Sequence, residues 1–304
     1  MPLQQIIEAW NVFFHAEVSC ATLVIFRIAI GFLLLANVLL LVPLIDDYFS
    51  EDGVWPTAAW LRQTRGSRFC LLTMLPPTTN SFRFLLLVHA VACVGFLLGF
   101  HFRLCCIVVF VTLVSIHHRN AYILSSGDTL LRLLLFLTCF SDAHGGLSID
   151  AWRAGKSLSE FASTDPWPMR LMQIQICIVY LRTVFWKLRG KMWWDGTAVW
   201  YPLWVDAYVR FRPPRFFLKP VFIRIATWGT LIEELAMATL IWVRELRYPM
   251  LLSGIALHLM LDIVMNLQFF SWIMICSLLL FIFPDDAESW LTCISDWFRV
   301  DNSG

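Results

Sequence analysis

Lys187 stands directly after the apolar run Val184, Phe185, Trp186 and opens the motif "KLRGKMWWDG". With Lys191 it makes up half of the chain's four lysines, against nineteen arginines. The residue type matters chemically. Arginine stays protonated in proteins and cannot act as a base. Lysine can, once desolvation favours the neutral amine. The opposing reading is an interfacial anchor whose ammonium snorkels to the lipid headgroups. His258 and Asp262 are four residues apart and so share one helix face. A histidine beside a carboxylate suits proton transfer, and equally suits a satisfied interior histidine. Arg27, Arg132, Arg182, Glu233 and Glu234 also fall inside apolar runs. A charge at mid-bilayer costs roughly 2.5–3.5 kcal/mol on insertion scales, so these side chains are expected to turn inward and pair. Arg27 or Arg182 against Glu233 or Glu234 would serve as structural glue, with Arg182 the first choice and Asp262 in the same class.

The medium that gives these charges meaning follows from composition. The 304 residues are 59% hydrophobic and only 15% charged, with a mean hydropathy of +0.70. A soluble domain sits nearer half apolar and a quarter charged, so the bilayer is the expected solvent. A net charge of +1 gives no electrostatic footprint for nucleic acid. Most of the nine cysteines lie in apolar runs and read as small hydrophobes, with no metal-ligand spacing. Cys70 and Cys293 alone sit where a loop disulfide could form. No cleavable signal peptide is evident, and "LQQIIEAWNVFF" reads as an amphipathic helix lying at the interface.

Crossing a bilayer of about 30 Å takes about 20 apolar residues. Eight runs approach that length: Ala21–Ile45, Phe82–Phe100, Leu104–Ile116, Ile123–Phe140, Met169–Trp186, Val221–Val243, Met250–Met265 and Phe269–Phe283. The chain is thus expected to be all-α, a polytopic bundle of about eight spans in a single membrane domain, residues 1–304. Residues 1–20 hold the interfacial helix, 21–283 the spans, and 284–304 a short tail. "TAVWYPLWVDAYVRF", between spans five and six, reads as a re-entrant or interfacial helix. Alternation places the connections after spans one, three, five and seven on one face. They carry "DDYFSEDGVWP", "HHRNAYILSSGD", "KLRGKMWWDG" and "MNLQFFSW", and they are expected to converge on one cavity with Lys187 at its wall.

Five segments in order resemble the vitamin K-dependent γ-carboxylase-like membrane family, also called the HTTM (horizontally transferred transmembrane) family. They are "FRIAIGFLLL", "YFSEDGVWP", "HRNAYILSSGDTLLRLLLFLTCFSDAHGGLSID", "QIQICIVYLRTVFWKLRGKMWWDGTAVWY" and "LHLMLDIVMNLQFFSWIMI". Together they cover most of residues 20–283. In the family's carboxylases a lysine followed by leucine and then by tryptophan and glycine is the catalytic base, which places that role on Lys187. The resemblance implies that neutral Lys187 deprotonates a reduced naphthoquinone and that O2 adds to it. The product base would remove the γ-proton of a substrate glutamate, CO2 would trap the carbanion, and no metal would be needed. Such chemistry requires a dry site. Tyr180, Trp186, Lys191, Trp193, Trp194, Asp195 and Gly196 are the expected quinol pocket, with His258 as a further catalytic group. The family also uses a histidine in the region of "HHRN", where Asn120 stands here with His117 and His118 just upstream.

The implied partners are membrane lipid and a glutamate-containing peptide or protein. The implied location is a multi-pass integral membrane protein, of the plasma or inner membrane if the chain is bacterial. The family places the site outside the cytoplasm, whereas the excess of lysine and arginine on that face argues the reverse. Two alternatives compete with the enzyme. One is a non-catalytic membrane factor for maturation or export of a small peptide. The other is a transporter, which the absence of an internal repeat disfavours.

Overall fold

A computed structural model describes residues 3–64, 68–267 and 269–300. The first two residues of the expected interfacial helix, Gln268 of the seventh connection and the last four residues of the tail lie outside the described residues. The chain is all-α, a membrane-type helical fold, and it divides into two compact units. Unit 1 comprises residues 1–169 and 283–304, and unit 2 comprises residues 170–282.

In unit 1, α1 (Leu3–His15) leaves Leu3, Trp10 and Val12 well exposed. An apolar stripe left uncovered is what a helix lying at a lipid interface presents. Helix α2 (Ala21–Leu41) loosens into a 3-10 turn at Pro43 and resumes to Tyr48. Helices α3 (Thr79–Leu98) and α4 (Phe102–Arg119) follow, then α5 (Ser126–Thr138). Between α3 and α4 the chain turns at Gly99, whose φ of +62° favours glycine. A Cβ there would also meet the Ser148 side chain at 2.4 Å and Arg27 Nη1 at 2.6 Å. The freed amides opening α4 are satisfied at long range: Asp150 accepts from His101 N and Phe102 N, both at 2.9 Å. Helix α5 opens on a capping box between Ser125 and Asp128. Phe49, Trp60, Phe82, Leu86 and Ile116 form an apolar core between the first helices.

In unit 2, α6 (Trp167–Lys187, its first residues belonging to unit 1) carries Lys187 at its last turn. Helices α7 (Pro220–Thr239), α8 (Arg247–Val264) and α9 (Phe269–Leu278) complete it. Helix α10 (Pro284–Val300) returns to unit 1 and packs on α2.

All eight apolar runs are helical. Among the described residues, four helices are long and apolar enough to cross a membrane, over Ala21–Tyr48, Thr79–Leu98, Phe102–Arg119 and Arg247–Val264. A fifth is added if the broken pair Phe269–Phe281 and Pro284–Asp296 acts as one span. Helix α5 has 13 residues, about 20 Å of rise, and falls short of the bilayer core. Helix α6 has the length, but Arg170, Gln173, Gln175 and Arg182 dilute its apolarity.

Three details differ from the sequence reading. "TAVWYPLWVDAYVRF" forms two 3-10 turns, Ala198–Trp200 and Pro202–Trp204, rather than one continuous helix. Pro202 lacks the amide needed to continue the first turn. The expected tail is the 17-residue helix α10, which opens on Pro284 with Asp285 and Asp286 in its first turn. Cys70 and Cys293 are not bridged: Cys70 is buried and donates its thiol to Ser115 O, while Cys293 is exposed.

Candidate functional site

Tyr180, Thr183 and Lys187 fall at positions i, i+3 and i+7 of α6 and therefore share a face. Lys187 Nζ donates to Glu234 Oε1 on α7. The pair is largely withdrawn from solvent, with side-chain exposures of 22% for Lys187 and 11% for Glu234. The second carboxylate oxygen, Oε2, accepts from Thr183 Oγ1 at 3.1 Å. One helix turn deeper, Tyr180 Oη and His258 Nε2 lie 2.9 Å apart, both residues buried. Among the described residues, no hydrogen-bond partner meets the buried atoms His258 Nδ1 and Glu233 Oε1. Unit 2 thus holds a continuous polar seam between α6, α7 and α8 inside an apolar bundle. An ammonium with one carboxylate partner, a hydroxyl that fixes that carboxylate, and two unsatisfied acceptor or donor atoms can bind a small polar group and exchange a proton with it.

The segment after Lys187 folds back over the lysine. Trp193 lies beneath it, with Nζ 4.8 Å from the ring centroid. Trp193 O accepts from Trp228 Nε1 at 3.1 Å, and Val199 N donates to Thr227 Oγ1 at 3.2 Å, so the segment is pinned to α7. Gly196 permits the reversal with a φ of +71°. A Cβ there would meet Arg224 Cγ at 2.8 Å and Trp228 at 3.0 Å. Gly196→Ala is therefore expected to destabilise the protein by more than the roughly 1–2 kcal/mol cost of the left-handed conformation alone. Thermal unfolding in detergent measures it, and an unchanged midpoint would refute the fit.

The other expected pocket residues divide. Trp186 and Trp194 are exposed, and Trp194 Nε1 donates to Leu188 O at 2.7 Å. Trp186 carries the guanidinium groups of Arg182 and Arg189 at 5.1 and 4.7 Å from its ring. Lys191 and Asp195 are exposed on the short turn that includes Trp193.

The intramembrane charges pair differently from the sequence reading. Arg182 is not the partner of Glu233 or Glu234. It lies five residues before Lys187, about 140° around the helix, and stacks outward on Trp186. The cation facing Glu234 is Lys187 itself. Arg27, fully buried in unit 1, donates to Ala143 O at 2.8 Å and Leu147 O at 2.5 Å, so its partners are backbone carbonyls, not a carboxylate. Arg132 Nη1 reaches His118 Nε2 at 3.2 Å, and Nη2 donates to Thr129 Oγ1 at 3.3 Å. Asp262 Oδ2 lies 3.8 Å from Arg210 Nη1. Asn266 N donates to Tyr208 O at 2.8 Å, which ties the fifth connection to the seventh within unit 2.

His118 and Asn120 belong to unit 1. His118 Nδ1 lies 2.6 Å from Phe69 O, so with Arg132 on Nε2 both ring nitrogens are engaged. Asn120, buried, caps the turn after α4 through Tyr122 N at 3.2 Å. His117 Nε2 lies 3.8 Å from Asp128 Oδ1. The four connections expected on one face divide two to each unit.

Sequence reasoning missed Thr183 and Trp228, the residues that orient the carboxylate and anchor the fold-back. A threonine one turn before a site lysine was the available signal for Thr183. Trp228 carried none, because its role depends on where residue 193 returns. It also missed Arg119 in unit 1, buried and donating to Phe49 O, Trp55 O and Thr57 Oγ1 at 2.9–3.2 Å.

The chain is similar to the sporulation-delaying protein SdpB of Bacillus subtilis, at 30% identity over 136 residues, 43% of this chain and 42% of that protein. It is also 25% identical over 130 residues to the uncharacterized protein YitO of the same organism, covering 41% and 42% of the two chains. The matched stretch thus spans under half the length of either relative. No solved structure matches. The HTTM domain model matches residues 15–286, nearly the whole chain, and the protein belongs to the HTTM domain family.

Proposed function

We propose that this protein is an integral-membrane, quinol-dependent enzyme of the γ-glutamyl carboxylase type. Lys187 is its base, and Glu234 is the group that stores the lysine's proton. The supporting observation is the Lys187–Glu234 pair, largely withdrawn from water and backed by Thr183. In this reading Lys187 hands a proton to the Glu234 carboxylate along the hydrogen bond that joins them, which leaves an amine and a carboxylic acid. The neutral amine then holds the lone pair that a base requires. Tyr180 and His258 form a second proton-holding pair, Tyr180 lying about two helix turns before Lys187.

The residues fit a reduced naphthoquinone. Trp193 offers an aromatic wall beside Nζ, and the unsatisfied Glu233 Oε1 and His258 Nδ1 offer buried polar atoms to a hydroxyl. When bound, the quinol with O2 supplies the strong base that removes a glutamate γ-proton so that CO2 can add. The chain's own residues place the amine, orient its carboxylate and exclude water. The partners under this reading are membrane lipid, which delivers the quinol, and a glutamate-containing peptide.

A second reading is a membrane factor without turnover that serves maturation or export of a small peptide. Two things favour it: the similarity to a sporulation-delaying protein, and the engagement of the Lys187 ammonium by Glu234. One experiment separates the two. Purified protein in lipid nanodiscs is given reduced naphthoquinone, O2, labelled CO2 and a glutamate-rich peptide. O2-dependent quinol loss with label in the peptide is the expected result. Unchanged quinol would overturn the enzyme reading.

A further inference from the structure

Unit 1 contains a pair of thiols that the proposed chemistry does not use. Cys106 on α4 and Cys139, immediately after α5, lie with their sulfurs 3.3 Å apart. Both also point at one backbone oxygen, Leu135 O, at 3.7 Å from Cys106 and 3.3 Å from Cys139. A disulfide has an S–S length of about 2.05 Å, so closure needs an approach of roughly 1.3 Å. The helices are adjacent, and Cys139 is a helix-terminal residue whose own backbone can absorb that shift without breaking the interior of α5.

We propose that Cys106 and Cys139 are a reversible dithiol–disulfide site that staples α4 to α5, oxidised by a lipid-soluble two-electron acceptor of the quinone class. In the step, both S–H bonds break and one S–S bond forms. The two electrons and two protons pass to the quinone, which becomes the quinol. Access decides the class of oxidant. Cys106 is fully buried, and Cys139 is only partly exposed. The surface beside it is aromatic and apolar: Phe136 packs against Phe140 and Phe110 at centroid distances of 5.3 and 5.6 Å, and both Phe136 and Phe140 are exposed. A flat apolar oxidant meets an aromatic surface beside Cys139 on which it can stack.

The neighbouring thiols are directed elsewhere. Cys105 donates to Phe100 O at 3.1 Å, and Cys93 lies 3.5 Å from His89 Nε2. The partner of Cys139 is therefore Cys106 and not the adjacent Cys105. The inference does not rest on the carboxylase reading, since it concerns residues of unit 1 alone.

The test is thiol mapping of the full-length protein, folded in lipid nanodiscs during oxidation. Samples are exposed to a short-chain naphthoquinone, then denatured, blocked with an alkylating reagent, digested and examined by mass spectrometry, before and after reduction. The expected result is a peptide pair joining residues 106 and 139, lighter by two hydrogens and released by reductant. Two of the nine thiols should be lost from labelling, with equivalent quinol formed. Cys139→Ser should remove both the linkage and the quinol produced. Full labelling of Cys106 and Cys139 after quinone treatment, or a linkage to Cys105 instead, would overturn the proposal.

Discussion

Lys187→Arg is expected to insert and fold at the wild-type yield while losing quinol oxidation by about 10²–10⁴-fold, the usual cost of removing a general base. The substitution keeps what a structural lysine provides. A guanidinium can pair with Glu234, cover the Trp193 ring and retain an apolar stem. It cannot release a proton to Glu234 and so has no lone pair to offer. Yield is read by gel filtration in detergent, and activity by quinol loss under O2. Near-wild-type activity in the arginine variant would make Lys187 an anchor and remove the proposed mechanism.

Glu234→Gln carries the largest expected cost in stability. Removing one partner of a buried pair leaves an unbalanced charge and costs about 3–5 kcal/mol. The lower end applies here, because Lys187 keeps 22% of its side chain exposed. Folded yield should fall severalfold. The double variant with Lys187→Met and Glu234→Met is the informative companion, since apolar replacement of an entire buried pair is commonly neutral or stabilising. It should restore the yield and remain inactive. If the double variant folds no better than Glu234→Gln, the loss comes from packing on α6 and α7 rather than from an unpaired ammonium.

The reading of the chain as an all-α membrane protein rested on local quantities. Apolar run lengths, the scarcity of charge and the amphipathic start are properties of consecutive residues, and all eight runs proved helical for that reason. The placement of Lys187 was legible too, since a lysine among nineteen arginines, set directly after an apolar run, is a local signal. The five ordered segments were enough to suggest the family.

Partners were not legible. The rule that buried charges must pair correctly required partners for Glu234 and Arg27, but it could not choose them. Arg182 is suitable by type, yet its angle on α6 turns it outward to Trp186, while Lys187 faces Glu234. Arg27 met carbonyls of residues 143 and 147, more than a hundred positions away, because the close approach at Gly99 brings that loop against α2. His118 and Asn120 likewise carry suitable atoms that tertiary neighbours already engage. Helix formation is decided by the solvation and hydrogen bonding of neighbouring residues, so the sequence by itself determined the helices and the medium. Which polar atom meets which depends on helix rotation and on the path of the loops, and those are set only when the apolar faces pack.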